Sequence, residues 1–187
     1  MKIGSERICK IVLTLRHFSR LDEAAMKPVN IHEGIDSTLL LLKHRIQDKS
    51  QDRLIEIIKE YGDLPLVECY AGQLNQVFMN ILSNAIDALH EYHKEDIQRN
   101  ISRITIRTQV KDSNCVIISI KDNGSGMAAE VKNRLFEPFF TTKPVGKGTG
   151  LGLSISYQII VDKHGGKIEC ISKLSEGTEF LIEIPIQ

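Results

Sequence analysis

Polar and apolar positions follow two rhythms along this chain. Between residues 5 and 25, Ile8, Ile11, Leu15, Phe18 and Leu21 recur at three- and four-residue steps, which predicts a helix with one apolar face. One helix cannot bury that face alone. The stripe therefore predicts a partner helix, from upstream of Met1 or from a second copy of the chain. Pro28 ends the segment, because the residue before a proline is pushed out of the α region, and a boundary is expected there.

Ile31 to about Ile46 reads as a second amphipathic helix. Residues 73–92 read as a long one carrying Leu74, Val77, Phe78, Ile81, Leu82, Ala85 and Leu89. "RLIEIIKEY" and "LVECY" read as strands. Period-two alternation marks "ISRITIRTQV" and "NCVIISIKD" as a hairpin turning at Lys111 to Ser113, and "GKIECIS" with "TEFLIEIPI" as a closing one. Between the hairpins, Leu151 to Lys163 reads as a helix. These elements add up to a two-layer α/β sandwich, with helices on one face of a mixed, mostly antiparallel sheet and one long helix in front.

At 187 residues, the chain suits one domain of ordinary size plus an appendage. Lys plus Arg and Asp plus Glu both number 24, so no net field points to nucleic acid or an anionic membrane. Cys9, Cys69, Cys115 and Cys170 are far apart, which favours reduced thiols over disulfides or zinc. The run "TLLLL" is far too short to span a bilayer, and no signal peptide precedes it. A cytoplasmic chain is expected. No repeat or low-complexity tract stands out.

Four features carry chemistry. Asn80 and Asn84, four residues apart on the long helix, place two amides on one face. They suit either solvent or a Mg²⁺ ion bound mainly through phosphates and water. "KDNGSGM" puts Asp122 at a strand end, followed by Gly124 and Gly126. It is either an ordinary turn or an acceptor for an exocyclic amino group with backbone beneath a flat ring. "LFEPFFTTK" holds Phe136, Phe139 and Phe140, which either pin a loop by packing or take part in its opening and closing.

"TTKPVGKGTGLGLSIS" packs Gly146, Gly148, Gly150 and Gly152 into seven positions and then turns apolar. It fits neither the P-loop pattern nor the dinucleotide fingerprint. Its glycines run straight into a helix, whose first backbone N–H groups suit an anion. Lys143 and Lys147 beside them are solvated loop lysines or point charges for phosphate oxygens.

The ordered set resembles the GHKL ATP-binding fold, specifically the catalytic domain of sensor histidine kinases. "QVFMNILSNAIDA" is similar to that family's N box, "DNGSGM" to its first glycine box, "FEPFFTTK" to its F box and "GKGTGLGLSI" to its second glycine box. The resemblance covers residues 29–187, ending in "GGKIECISKLSEGTEFLIEIP". "LTLRHFSRLDEA" resembles the end of the second helix of the kinase dimerisation hairpin, which gives residues 1–28 to that hairpin.

By that resemblance the chain binds ATP and Mg²⁺. Adenine is expected against Asp122, Gly126 and Thr178, with Gly124 and Met127 beside them. Asn84, with Asn80, would hold the metal and phosphates, and Asp87 and Ala88 would line the same helix face. Gly148, Thr149, Gly150, Leu151, Gly152 and Leu153 would present backbone to the phosphates. Phe139, Thr142, Lys143 and Lys147 would belong to a mobile lid. Where hydrolytic relatives carry a glutamate base, this chain has Asn80, which accepts no proton at neutral pH. That favours transfer to a histidine imidazole over attack by water. The other readings are a non-catalytic ATP-sensing module and a hydrolytic ATPase.

Asp87 stands where many of these kinases have a lysine, so the resemblance leaves the positive charge at the phosphates to Lys143 or Lys147. The phosphoacceptor pattern is missing from the chain: His17 and His32 both read as structural, His164 as a helix C-terminal residue favourable to the dipole, and His44, His90 and His93 as surface residues. The acceptor is expected on a hairpin upstream of Met1. Expected partners are that hairpin, a response-regulator receiver domain and a second copy through residues 5–25.

Overall fold

Mostly apolar residues alternate with polar ones along the two longest hairpins, and that alternation builds the sheet. The computed structural model describes residues 25–48, 53–95, 101–112, 114–144 and 148–186. The expected helix over residues 5–25 and the candidate Lys147 lie outside them. Strands β4 (Glu56–Tyr61), β6 (Arg103–Lys111), β7 (Cys115–Asp122), β8 (Lys167–Lys173) and β9 (Gly177–Pro185) form a five-stranded sheet in the order β4-β6-β7-β9-β8. β4 runs parallel to β6, and every other pairing is antiparallel.

On the inner face Ile104, Ile106, Val116, Ile118, Ile120, Phe180, Ile182 and Ile184 are all buried. They meet the apolar stripes of helices α1 (Ile31–Leu41) and α3 (Ala71–Glu95), chiefly Ile31, Ile35, Phe78, Ile81, Leu82 and Leu89. Each such side chain stabilises the fold by about 1.5–3 kcal/mol. The outer face is polar. There Arg103 pairs with Glu56 at 2.8 Å and Lys111 with Glu183 at 2.9 Å. These exposed pairs contribute no more than about 1 kcal/mol each, so the inner face carries the sheet.

Three local departures from the expected elements have physical causes. The first helix stops at Leu41 and is followed by a separate turn, α2 (Lys43–Ile46), because Leu42 takes the bridge conformation between them. The segment around Pro28 is a short strand, β1 (Lys27–Val29), paired antiparallel with β5 (Val67–Cys69); it straddles the boundary expected at residue 28. The short strands β2 (Gln47–Asp48) and β3 (Arg53–Leu54) also pair with each other. Helix α4 spans Ala129–Arg134, and α5 (Gly152–Tyr157) continues into a π-helical turn, Gln158–Lys163.

The histidines divide. His32 stacks face to face on Tyr61 with centroids 4.1 Å apart, and its Nε2 lies 2.8 Å from Thr108 Oγ1. It is structural, as expected. His164 caps the C-terminal end of the π-helical turn, as expected, but not as a cation serving the dipole. It is buried, with Nδ1 2.7 Å from the Ile159 carbonyl oxygen, while its Nε2 accepts the Tyr70 backbone N–H at 3.1 Å. Burial holds its pKa below the ordinary value. His90 is half-buried on α3 rather than a surface residue. Cys69, Cys115 and Cys170 are free thiols, and burial pushes Cys69 and Cys170 up to about 12. Among the described residues no helix is long and apolar enough to cross a membrane.

Candidate functional site

The end of β7 fixes one side of the site. Asp122 sits in the inward phase of that strand, directly opposite Thr178 in the antiparallel register. It is only 4% exposed. Burial pushes its carboxyl up to about 6 against the opposing pull of the Gly124 and Thr178 backbone N–H groups. Its Oδ1 accepts the Gly124 N–H at 2.8 Å. Ser172 on β8, which the sequence reading missed, braces this corner. Its hydroxyl accepts the Met127 N–H at 2.9 Å and lies 3.0 Å from Thr178 Oγ1.

Gly126 takes φ +64, and a Cβ there would lie 1.9 Å from the Lys173 carbonyl oxygen. Only glycine lets the loop after Asp122 lie against the β8–β9 turn. Gly177 meets the Asp122 carbonyl oxygen in the same way from the other side.

Helix α3 supplies the opposite wall. Lys143, from the loop after the phenylalanine segment, reaches across to it. Its Nζ donates to Asp87 Oδ2 at 2.6 Å and to Asn84 Oδ1 at 3.2 Å. The other Asp87 oxygen takes Arg45 Nη2 at 2.5 Å, and Arg45 also donates to the Ser83 carbonyl oxygen at 3.4 Å. Asp87 thus binds two cations from elsewhere in the chain. Asn80 donates its amide N–H groups to the Gly152 carbonyl oxygen at 2.8 Å and to Ser156 Oγ at 3.2 Å.

The glycine loop closes the site. Gly150 has φ +66, and a Cβ on it would lie 2.4 Å from the Phe139 carbonyl carbon, so the loop rests on the backbone of the phenylalanine segment. Phe139 itself adopts φ 66 and is 74% exposed. It does not pin the loop by side-chain packing. Phe136 does, with its ring 5.3 Å from that of Tyr157, and Phe140 lies under the Arg134 guanidinium.

Between these walls lies a cleft of about 400 Å³. Asn80, Asn84, Asp87, Ala88, Asp122, Gly126, Met127, Thr142, Lys143, Gly148, Thr149, Gly150, Gly152, Leu153 and Thr178 all line it. Gly124, Phe139 and Leu151 do not; they act behind the wall, through Asp122, Gly150 and the start of α5. The lining also takes in Val131 and Leu135 from the segment around α4, and Phe180 from β9, none of which was expected as a site residue. Its two ends differ. Beside Asp122 and Thr178 are Phe180, two positions along β9, and Met127, whose N–H meets the Ser172 hydroxyl, whereas Lys143 rests on Asn84 next to the polar glycine backbone.

A sheet of this order, with such a cleft between α3 and β7, defines the GHKL type of nucleotide-binding domain. The chain belongs to the family described as Histidine kinase-, DNA gyrase B-, and HSP90-like ATPase, which matches residues 70–187. It is 35% identical over 192 residues to the sensor kinase CckA of Brucella abortus, an alignment covering 99% of this chain and 20% of that protein. It is similar to the solved, nucleotide-free catalytic domain of the histidine kinase ThkA, with TM-score 0.69, 32% identity, and coverage of 86% of this chain and 97% of that one. It also resembles ThkA solved in complex with the response regulator TrrA, with TM-score 0.67, 25% identity, and coverage of 99% of this chain and 50% of that one. The chain thus spans about a fifth of the length of CckA.

Proposed function

We propose that this chain is the ATP-binding catalytic part of a cytoplasmic two-component sensor histidine kinase. It would move the γ-phosphoryl group of ATP to a histidine on a dimerisation hairpin, for relay to a receiver domain. The observation that carries the reading is the polarity of the cleft. A buried acceptor, Asp122, stands with Thr178 at its apolar end, and a cation, Lys143, stands on Asn84 at its other end. Adenine, with an amino group to donate and two apolar faces, suits the first. A triphosphate suits the second.

In this reading Asp122 accepts a hydrogen bond from the adenine amino group, and Thr178 holds its neighbour position. Lys143 turns from Asp87 to the phosphates, and backbone N–H groups of the loop 148–152 face the same charge. A Mg²⁺ ion fits beside Asn84, because a cationic ammonium already rests on that oxygen; when bound it neutralises phosphate charge. The imidazole nitrogen attacks the γ-phosphorus as the bond to the bridging oxygen breaks. ADP leaves with the electron pair of that bond, and the resulting imidazolium releases its N–H proton to solvent. Asn80, whose amide donors are already engaged, is no base for water.

The residues before β1 would contribute a hairpin helix that pairs with a second copy. The complex of ThkA with TrrA supports a receiver domain as the kind of partner. The test is incubation with labelled ATP and the added hairpin. Acid-labile, alkali-stable phosphohistidine is expected. Tight ATP binding without it, or steady phosphate release without any histidine, would overturn the kinase reading.

A further inference from the structure

Asn80 enters the site from α3, one turn before Asn84, and its geometry assigns it work other than metal binding. The amide nitrogen carries two hydrogens. One goes to the Gly152 carbonyl oxygen at 2.8 Å and the other to Ser156 Oγ at 3.2 Å. The Ser156 hydroxyl in turn donates to the same Gly152 carbonyl at 2.8 Å. Three groups from two helices thus close a triangle where the glycine loop becomes α5. Ser156 is fully buried, so water does not compete for its bonds.

Two contacts of the described loop run to the segment before it. Gly148 meets Thr141 and the Lys143 stem, and Gly150 lies on the Phe139 backbone. Both contacts are with the segment that carries Lys143, so both travel with it. The Asn80 triangle ties Gly152 to α3, whose side chains Leu74, Phe78, Ile81 and Leu82 are fully buried. It is therefore a polar tie to the rigid body of the fold, beside the packing of Leu153 and Ile155 on the core.

We propose that Asn80 is a positioning residue that anchors the exit of the glycine loop at Gly152 to α3, and so sets where the backbone of residues 148–152 meets the phosphates. The proposal rests on the nucleotide reading of the cleft. It also states which chemical feature position 80 needs. An amide donates to a carbonyl and a hydroxyl together, whereas a carboxylate of the same shape turns lone pairs on the Gly152 carbonyl.

Asn80→Asp separates this role from metal ligation, because it removes the donors while offering a charged oxygen to Mg²⁺. Calorimetric titrations would use ATP and adenosine, each with Mg²⁺ and with EDTA. Hydrogen exchange at residues 152–156 would be read in the nucleotide-free protein. ATP affinity is expected to fall roughly tenfold, the size of one lost hydrogen bond to a buried partner, with and without Mg²⁺. Adenosine affinity is expected to hold within about twofold, since adenine binds at the other end of the cleft. The amides of residues 152–156 are expected to exchange faster.

A loss confined to the Mg²⁺ titration, tighter Mg·ATP binding, or equal losses for ATP and adenosine would each overturn the proposal. Should Asn80→Asp fail to fold, Ser156→Ala takes its place. It breaks two sides of the triangle, leaves the Asn80 oxygen untouched, and is expected to give the same pattern at smaller size. If the unaltered protein binds no ATP, the nucleotide reading fails, and the exchange comparison alone still decides the positioning role.

Discussion

Asp122 and Thr178 are register partners on β7 and β9, and both side chains point into the cleft from the buried face of the sheet. A carboxylate so placed is held against its own solvation, which is why its pKa is pushed up to about 6. Such strain at a cleft is the mark of a binding group rather than a stabilising one.

Asp122→Asn should weaken ATP binding by about 10- to 100-fold, the size of a charge-assisted hydrogen bond. Because the folded pKa is raised, whatever stability Asp122 contributes is fully present below 3.8, the unfolded value, and lost as pH rises through about 6. At pH 7.5, then, the variant should unfold no earlier than the unaltered protein while binding far less ATP. The two proteins should converge in affinity as pH falls below 6, where Asp122 is protonated. Calorimetry across pH checks both; equal affinities at neutral pH would refute the adenine assignment.

Gly126 and Gly165 both have positive φ, +64 and +60, but in different surroundings. A Cβ on Gly165 meets nothing within 4 Å, whereas one on Gly126 runs into the Lys173 carbonyl oxygen. Gly165→Ala should therefore cost only the left-handed backbone penalty of about 1 kcal/mol. Gly126→Ala should cost about 3 kcal/mol, since the β8–β9 turn must also move, and should weaken ATP binding by displacing Thr178. Urea denaturation of the pair measures the difference.

His164 links the start of α3 to the end of the π-helical turn, and its two ring nitrogens fix a neutral tautomer: Nδ1–H faces Ile159 while Nε2 accepts from Tyr70. Protonation would put a hydrogen where the Tyr70 N–H already points. The folded pKa lies below 6.5, so its contribution is present above 6.5 and lost as pH falls below it, because the unfolded chain takes the proton first. The melting temperature should drop between pH 7 and 5 by more in the unaltered protein than in His164→Gln. Parallel curves would show that the ring titrates normally.

Most of the sheet and the cleft lining were legible because they follow from local pattern. Ile104 and Ile106 alternate with Arg103, Thr105 and Arg107, and the buried face repeats that period. The four motifs placed the lining because each keeps its residues within a few positions. What escaped depends on partners distant in sequence. Three residues of β1 have no period to read, and they become a strand only because β5 lies beside them. Arg45 reaches Asp87 across 42 positions, and Asn80 reaches Gly152 across 72. His164 reads as a helix cap in sequence and is one, but its bond to Tyr70, 94 positions away, was not legible.

The bond between Lys143 and Asp87 makes the cleft hold its own counter-charge. Under the proposed reading Lys143 cannot serve the phosphates while it rests on Asp87 Oδ2 and Asn84 Oδ1, so nucleotide would have to displace it. Both side chains are partly exposed, at 28% and 35%, so the hold is no more than about 1 kcal/mol. Asp87→Ala removes that hold and also removes a negative charge near the triphosphate, so ATP affinity should rise about two- to fivefold, the factor that 1 kcal/mol allows. Lys143→Ala should lower it, having lost the cation altogether. The double variant decides between the causes. If Asp87 acts by holding Lys143, the gain from Asp87→Ala vanishes once Lys143 is alanine. If it acts by repelling phosphate, the gain persists in full. A fall in affinity for Asp87→Ala alone would instead make Asp87 a contact for the nucleotide, and the titration that measures the gain reads that outcome as well.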